Sequence, residues 1–442
     1  MNNDSPKHNN ISSSTQLNSS SDDDMDIDDD NINQKNIKFV AFFLIIIIIL
    51  IFLLIIVLTI TYKFIIKPEL DISPRKTHPE IYLSLKERNK IDEYVKNCMN
   101  GILLDNKTYP KSEKPKISIV IPVYNKELFI LQILRSIQNQ SLKEIEIIFC
   151  DDHSTDNSTK LLEKYEKEDE RIVLIKHDHN VGTLKNRIDG AKIAKGEYIL
   201  FVDADDLLVN NILEKIYQKA KTKDFDIVQF LAYSGDYYKS FIIWDSDRTT
   251  EPIYQPQLSD LMYYEKGYLH QTECLIWGKL IKREVIKEVI ESIGEYYINQ
   301  HMTLHEDGLT LFFVFRKAKS YIFLKEYGIL YYSNRYSTMK NIRNTDKINE
   351  SVHDCFLYLD FMFHKTNNTL HEKNMAVCQF LGLMNGFKDM YYRITKGFDY
   401  IYKVIDLYLN CDIILENDKK TIKGLKDEIK LVEKNLSKTA LI

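Results

Sequence analysis

Two aspartates, Asp203 and Asp205, come directly after a run of five apolar or aromatic residues at 198–202. This run has no polar face and therefore predicts a strand buried on both sides, in the middle of a parallel sheet covered by helices. Side chains two positions apart on extended backbone point the same way, so both carboxylates would face one space. Paired hard oxygen ligands suit Mg²⁺ or Mn²⁺, which usually accompany phosphate. Two aspartates at this spacing, taken alone, are more often part of a solvated loop or a helix cap. The neighbouring motifs must therefore decide whether this pair binds a metal ion.

Two earlier apolar runs also end in polar residues. The run at 117–123 leads into Tyr124 and Asn125, and the run at 145–150 leads into Asp151 and Asp152. The runs alternate with helical patterns, which predicts parallel βαβ units and an α/β fold class. We expect strands at 117–123, 145–150, 172–175, 198–202 and 227–230, and helices at 126–138, 158–167, 183–194, 207–221, 283–293 and 309–315. The carboxyl ends of parallel strands meet at one sheet edge, so these polar groups should gather there.

Four motifs therefore follow one another at the predicted strand ends. They are Pro122-Val123-Tyr124-Asn125, the stretch Asp-Asp-His-Ser-Thr-Asp at 151–156, Asn-Val-Gly at 180–182 with Arg187 and Gly190, and the stretch 194–206. Together they resemble glycosyltransferase family 2, closely over 117–210 and more weakly to about 340. The resemblance implies a GT-A fold, which is a Rossmann-like, mostly parallel sheet that binds a nucleotide diphosphosugar. Neither tryptophan of the chain lies in the Q-x-x-R-W element of the processive polysaccharide synthases, which favours addition of a single sugar.

The resemblance also implies roles for individual residues. The donor nucleotide would be held by Pro122, Tyr124, Asp151, Asp152, Arg187 and Asp203. Asp205, together with Asp203, would bind the Mn²⁺ or Mg²⁺ that bridges the diphosphate. A divalent cation acts as a Lewis acid for a departing diphosphate, and an arginine can pair with phosphate oxygens in a fork. The alternative for Arg187 is an arginine on a helix surface.

A second acidic motif, Glu306-Asp307, precedes the apolar run at 309–315. Inverting sugar transfer needs a carboxylate that takes the proton of the acceptor hydroxyl. Family members place that base in such a pair, and the resemblance maps it to Asp307, with Glu306 beside it raising the proton affinity of the pair. The alternative is that either carboxylate only caps the following helix. The two roles are compatible, because the backbone N–H groups at the helix N-terminus position a capping carboxylate and also keep it ionised.

Three further residues near these motifs have an open role. His305 could bind a metal or phosphate, but we expect a satisfied structural histidine. Trp277 fits the core or a sugar-stacking surface equally well. Arg335 resembles part of a loop that closes over the diphosphate in relatives.

The N-terminal region differs from the rest in composition. Residues 1–38 are rich in Asn, Ser and Asp, which predicts a disordered tail. Residues 39–60 contain a single polar residue, Thr59, and are long enough to span a bilayer as a helix. Four basic residues follow this span closely and two precede it, which favours a cytosolic catalytic domain. The layout of tail, anchor and stem instead resembles a lumenal Golgi or ER enzyme, so the side stays open.

The whole chain of 442 residues is too long for one compact core. Its net charge of -5 provides no basic surface, which argues against nucleic acid as a partner. Six scattered cysteines without C-x-x-C spacing form neither a zinc motif nor a disulfide framework. We expect a tail at 1–38, a transmembrane helix at 39–60, a stem at 61–116, a nucleotide-sugar-binding half at 117–230, an acceptor-binding half at 231–340 and a helical region at 341–442.

These observations predict a metal-dependent, inverting glycosyltransferase that is anchored in a membrane by a single helix. Its donor would be a nucleotide sugar, with UDP as the expected nucleotide. The acceptor would be a glycan, a lipid or a polyprenyl phosphate. The alternative is a catalytically inactive membrane protein that binds nucleotide sugar or a protein partner. A nucleotidyltransferase is disfavoured, because the first strand is not followed by a Gly-rich, Lys-containing phosphate loop.

Overall fold

The computed structural model describes residues 81–82, 109–236, 241–243, 250–260, 275–333, 345–367 and 393–439, with the single positions 89, 93, 94, 96–98, 373, 376, 377, 380, 381 and 383. Every described residue belongs to one compact unit, Asp71–Ile442. The predicted membrane helix at 39–60, Trp244 and Arg335 lie outside the described residues. Where the chain is described, no helix is both long and apolar enough to cross a membrane.

Eleven strands among the described residues form one sheet. They are β1 (Ile81–Tyr82), β2 (Ile117–Val123), β3 (Ile145–Asp151), β4 (Ile172–Lys176), β5 (Tyr198–Phe201), β6 (Leu207–Leu208), β7 (Ile227–Asp236), β8 (Phe241–Ile243), β9 (Ile253–Tyr254), β10 (Lys279–Lys282) and β11 (Ser320–Ser333). The strand order is β1-β8-β7-β10-β5-β2-β3-β4, and β11 lies beside β7 and also pairs with β6 and β9. Strands β5, β2, β3 and β4 are parallel, whereas β10 runs antiparallel between β5 and β7.

The described helices cover the sheet and form the C-terminal region. They are α1 (Ile130–Gln138), α2 (Ser158–Glu168), α3 (Thr183–Ile193), α4 (Ile212–Lys221), α5 (Gln257–Asp260), α6 (Arg283–Ile293), α7 (Glu295–Ile298), α8 (Glu306–Lys317), α9 (Thr345–Lys365), α10 (Phe398–Leu409) and α11 (Glu416–Thr439). The predicted α/β class and helical C-terminal region are confirmed.

Strand β5 shows why the sheet needs helices on both faces. Its residues are at most 3% exposed, as the uninterrupted apolar run predicts. Ile199 and Phe201 pack into a core with helices α3, α6 and α8 to α11. Tyr198 and Leu200 pack into a second core with α1, α2 and α4. Each buried side chain of this size stabilises the fold by about 1.5–3 kcal/mol, so two helical layers hold the strand from opposite sides.

Two predicted helices begin later than expected, and one long strand was not predicted. The helix expected at 126–138 begins at Ile130, because the preceding residues form a loop that contacts the β3–α2 connection. The helix expected at 207–221 begins at Ile212, because Leu207 and Leu208 pair with β11 as the short strand β6. The long strand β11 was not predicted at all, since its pairing with β7 is formed by residues far apart in the chain.

Candidate active site

The ends of the three parallel strands β2, β3 and β5 lie side by side. Val123 of β2 is the pairing partner of Asp151 at the end of β3, and β5 pairs with the other edge of β2. Tyr124, Asp152 and Asp203 therefore follow neighbouring strands at the same sheet edge. The predicted gathering of aromatic, amide and carboxylate groups is confirmed, because all three strands run the same way.

The β2–α1 loop presents its aromatic residue outward and fixes the residue behind it. Tyr124 is 44% exposed, which leaves an aromatic surface available for a planar ligand. Asn125 has a positive φ of 53°, a conformation that asparagine tolerates better than most residues. Its Oδ1 accepts hydrogen bonds from the backbone N–H groups of Thr155 and Asp156, at 2.8 and 3.4 Å. The asparagine of the first motif thus ties the loop after β2 to the loop after β3. Pro122 lies one residue before the end of β2, opposite Cys150.

Asp151 and Asp152 are both buried, at 2% and 4% exposure. Asp151 accepts hydrogen bonds from the Thr159 hydroxyl at 2.5 Å and from the Ser154 N–H at 3.3 Å. Asp152 accepts from the N–H groups of Val181 and Gly182, at 2.7 and 3.1 Å. These contacts make the two carboxylates anchors of the surrounding loops. Their predicted contact with a nucleotide stays a prediction.

The loop anchored by Asp152 rests on the segment before the second acidic motif. Gly182 has a φ of +86°, and an added Cβ would lie 2.7 Å from the backbone nitrogen of Met302. The N–H of Leu184 donates to the carbonyl of Met302 at 3.1 Å, and the His301 ring lies 2.8 Å from Asn180 Oδ1. The glycine of the third motif therefore allows two site-forming loops to touch.

We expect Gly182→Ala to destabilise the protein by about 1–3 kcal/mol, because the new Cβ adds backbone strain and meets backbone atoms that cannot turn away. Gly424→Ala is the matched control, since Gly424 has no atom within 4 Å of an added Cβ and lies inside helix α11. That change should be neutral or stabilising by up to about 1 kcal/mol. Thermal unfolding of both variants measures the difference, and equal melting temperatures would contradict the strain argument.

Arg187 joins the carboxylates of both acidic motifs. Its side chain in helix α3 is buried, and Nη2 donates to Asp203 Oδ1 at 2.6 Å. Nη1 donates to Glu306 Oε1 at 2.8 Å and also to Asp307 Oδ1. Burial alone would lower the pKa of Arg187, but the three carboxylates together raise it, so the guanidinium stays charged. The alternative of a surface arginine is wrong, and the predicted contact with phosphate stays a prediction.

Glu306 and Asp307 open helix α8, which begins three residues earlier than the apolar run suggested. Burial raises the pKa of both carboxyl groups, and the neighbouring Asp307 raises that of Glu306 further. Arg187 acts in the opposite direction on both. Asp307 Oδ2 accepts a hydrogen bond from the N–H of Ile276 at 3.1 Å. The pair thus has the raised proton affinity expected from the sequence, while a buried arginine keeps part of its negative charge in place.

Asp205 is paired with a lysine that the sequence did not single out. Lys126 Nζ lies 2.8 Å from Asp205 Oδ2, with both side chains mostly buried. In the described part of the chain, no group of three or more His, Cys, Asp or Glu side chains is arranged to hold a metal ion. Asp203 and Asp205 still fit a divalent cation by their chemistry, because two carboxylates need only phosphate oxygens and water to complete a Mg²⁺ shell.

A stacked aromatic pair, a buried tryptophan and a partly buried tyrosine, lies beside the acidic groups. Trp277 is 6% exposed and stacks on Tyr331, with ring centroids 5.7 Å apart. Burial raises the pKa of Tyr331 to about 12, and the carboxylates at 203, 205 and 206 contribute. The structure therefore places Trp277 in the core behind the site, which favours packing over direct stacking on a sugar. Tyr331 was missed, since it lies on the unpredicted strand β11.

His305 has a structural environment, as expected. It has a φ of 64° immediately before helix α8, and its Nε2 lies 3.0 Å from Cys355 Sγ in α9. Burial lowers the pKa of His305 to about 4, so the ring is neutral at physiological pH. A neutral, inward-facing imidazole fixes the turn that presents Glu306 and Asp307.

Comparisons with known proteins agree with this geometry. Residues 118–289 match the family model of glycosyl transferase family 2. Glycosyltransferase GlyG of Streptococcus pneumoniae is 28% identical over 229 residues, which cover 51% of this chain and 73% of the relative. Cholesterol galactosyltransferase of Borreliella burgdorferi is 27% identical over 327 residues, which cover 72% of this chain and 84% of the relative.

The fold is also similar to that of a solved structure. Residues 1–349 of Staphylococcus aureus TarS in complex with UDP-GlcNAc superpose with a TM-score of 0.52 at 16% identity, over 73% of this chain and 92% of that one. The similarity in structure extends the agreement beyond the four motifs. By its motifs, its family-model match over residues 118–289 and its sheet, the chain contains a glycosyltransferase family 2 domain with the GT-A fold and is a glycosyltransferase.

Proposed function

We propose that this enzyme transfers a single sugar from a nucleotide diphosphosugar, with UDP as nucleotide, to an acceptor hydroxyl with inversion at the anomeric carbon. The observation that carries the proposal is the position of Arg187, which contacts Asp203 at 2.6 Å and Glu306 at 2.8 Å. One guanidinium thereby joins the acidic motif expected at the donor to the motif expected at the acceptor. A reacting sugar would have to lie between the donor diphosphate and the base. This cluster contains Asp203, which is expected at the donor, and Asp307, which is the proposed base.

The proposed chemistry uses the side chains of this cluster. Asp307 accepts the proton of the acceptor hydroxyl as its oxygen bonds to the anomeric carbon, while the bond from that carbon to the diphosphate breaks. Arg187 keeps Asp307 in position and favours its ionised form. A divalent cation held by Asp203 and Asp205 would stabilise the negative charge that develops on the leaving diphosphate. The exposed ring of Tyr124 would stack on the nucleotide base.

The acidic side chains of the site suit Mg²⁺ or Mn²⁺. Asp203 and Asp205 lie two positions apart, and each already pairs with a positive charge, at 2.6 Å from Arg187 and 2.8 Å from Lys126. Carboxylate oxygens are the hard ligands that these cations prefer. A divalent cation would also offset the negative charge that a nucleotide diphosphate brings beside these carboxylates.

The acceptor and the location of the enzyme belong to the same proposal. The apolar stretch at 39–60 would anchor the enzyme to a membrane as a single helix, in the Golgi or ER of a eukaryote. A membrane anchor would bring the active site near lipid, polyprenyl-phosphate or membrane-bound glycan acceptors. The side of the membrane follows from the location of the acceptor and is best measured by protease protection.

Turnover of nucleotide sugars by the full-length protein in detergent tests this proposal. With Mn²⁺ present, we expect one donor of a panel to be consumed and Asp205→Ala to lose at least about 100-fold in rate, since a Lewis acid contributes several kcal/mol. Asp346→Ala is the control, because Asp346 lies on α9 with a side chain that is 82% exposed. Binding without turnover of any donor would favour the inactive nucleotide-sugar-binding alternative.

A further inference from the structure

Lys126 forms an ion pair with Asp205, one of the two carboxylates proposed to hold the divalent cation. Its ammonium lies 2.8 Å from Asp205 Oδ2, and the two side chains are 18% and 13% exposed. The ammonium also lies 5.7 Å from the centre of the Phe129 ring. The pair is thus shielded from solvent more than an ordinary surface ion pair.

Hydrogen bonds hold the backbone around Lys126 against the β3–α2 connection and the start of helix α2. The N–H of Lys126 donates to the Ser158 hydroxyl at 2.8 Å, and the N–H of Glu127 donates to Asp156 Oδ2 at 3.1 Å. These bonds fix the loop on the start of helix α2. Beyond this fixed backbone, lysine has a four-carbon stem and a compact charge that can pair with different anions. A small rotation of the stem can therefore transfer the ammonium between neighbouring acidic groups.

We propose that Lys126 is a positioning residue that exchanges partners during donor binding. It neutralises Asp205 when the donor site is empty, and it moves to the diphosphate when donor and divalent cation bind together. The inference rests on the proposed function, because it requires a diphosphate donor and a cation at Asp205. A cation on Asp205 would repel the ammonium on the same carboxylate, which favours movement of the ammonium away from Asp205. The diphosphate that arrives with the cation would provide a new anion for it.

This exchange predicts opposite effects on the two ligands. Without donor, Lys126 competes with the cation for Asp205 and weakens binding of the cation alone. With donor, the same ammonium adds a contact to the diphosphate and strengthens binding of the nucleotide. Cation and nucleotide would therefore bind cooperatively, with a coupling that Lys126 supplies. A purely structural lysine would produce no such reversal.

The test compares full-length parent, Lys126→Met and Lys126→Arg in two binding measurements. Mn²⁺ binding without nucleotide is followed by electron paramagnetic resonance, and UDP binding at saturating Mn²⁺ by calorimetry. We expect Lys126→Met to bind Mn²⁺ alone about 10-fold more tightly and UDP about 10-fold more weakly, within the usual range of coupling between sites. Lys126→Arg keeps the charge and should remain close to the parent. Lys215→Met is the control, because Lys215 forms a 2.8 Å ion pair with Glu326 on the exposed surface.

The outcomes separate this inference from the function that it assumes. If the parent binds UDP with Mn²⁺ and Lys126→Met is unchanged in both measurements, the exchange is wrong and the proposed function stands. If Lys126→Met binds both Mn²⁺ and UDP more weakly, Lys126 does not compete with the cation for Asp205. If it binds Mn²⁺ more tightly but UDP as the parent does, Lys126 does not contact the diphosphate. If the parent binds no UDP with Mn²⁺, the proposed function itself fails.

Discussion

Replacing Asp307 by Asn should lower the rate of sugar transfer by about 100- to 10,000-fold, the usual contribution of a general base. The amide cannot take a proton from the acceptor hydroxyl, but it has nearly the same shape. It can still accept the hydrogen bond that Asp307 receives from the N–H of Ile276 at 3.1 Å. Binding of UDP with Mn²⁺ should therefore stay within a few-fold of the parent, since Asp307 is not among the residues proposed to hold the donor.

The dependence of the parent's rate on pH provides a second measurement of the same assignment. Burial raises the pKa of Asp307, so the ionised base is lost as the pH falls through a value above the ordinary range of aspartate. We expect the rate to fall on the acid side at a higher pH than for an exposed carboxylate. In Asp307→Asn this acid limb should disappear from the residual rate.

Glu306→Gln is the matched control for Asp307→Asn. The two residues are adjacent, and both contact Arg187 Nη1. Burial and the neighbouring Asp307 raise the pKa of Glu306 to about 8, so this side chain is largely protonated near neutral pH and glutamine has nearly the same charge and shape. The acid limb should therefore remain, and the rate near neutral pH should fall far less than in Asp307→Asn. A loss of 100-fold or more in Glu306→Gln, together with a small loss in Asp307→Asn, would assign the base to Glu306 instead.

The sequence was sufficient for the strand ends because the relevant pattern is local. An uninterrupted apolar run at 198–202 predicts a doubly buried strand, and parallel neighbours bring Tyr124, Asp152 and Asp203 to one edge. The order of strands and helices then follows from short connections. Boundaries were less accurate, because Leu207 and Leu208 have the same apolar character whether they begin a helix or pair with β11. Only the tertiary partner decides between these two structures.

The contacts between charged groups could not be predicted, because they join distant parts of the chain. Arg187 meets Asp307 across 120 positions, and Lys126 meets Asp205 across 79. No spacing rule relates such residues. Burial is the largest cause of the raised pKa values of Glu306 and Asp307, and adjacency adds to it only for Glu306. Adjacency was visible in the sequence, whereas the opposing effect of a buried guanidinium was not. The sequence can nominate the charged groups, but their pairing depends on how the loops at the sheet edge pack.

Replacing Arg187 by Met should have the second large effect, on stability and on the pH dependence of stability. The change leaves the carboxylates of Asp203, Glu306 and Asp307 without their shared guanidinium in a largely buried place. Removing one partner of a buried ion pair usually costs about 3–5 kcal/mol, because the remaining charge is uncompensated. We expect a loss of this order in the free energy of unfolding near neutral pH, and less in Arg187→Lys, which keeps the charge.

The direction of the pH effect follows from the raised pKa values of Glu306 and Asp307. A carboxyl group whose pKa is higher in the folded than in the unfolded protein binds protons better when folded. Its contribution to stability is therefore fully present below the ordinary carboxyl pKa of about 4, and it is lost as the pH rises through the folded value. Without Arg187 the folded pKa values rise further, so the loss continues to higher pH. The gap in stability between parent and Arg187→Met should widen from pH 5 to pH 8.

Chemical denaturation of both proteins at pH 5 and pH 8 measures this gap. A second test combines Arg187→Met with Asp307→Asn, which removes one of the charges that the arginine neutralises. Because the two residues are in contact, their effects should not add, and Arg187→Met should cost clearly less in the Asp307→Asn background. A gap that is equal at both pH values, together with full additivity, would mean that Arg187 stabilises the fold by packing alone. The two acidic motifs would then be linked by something other than the charge of this guanidinium.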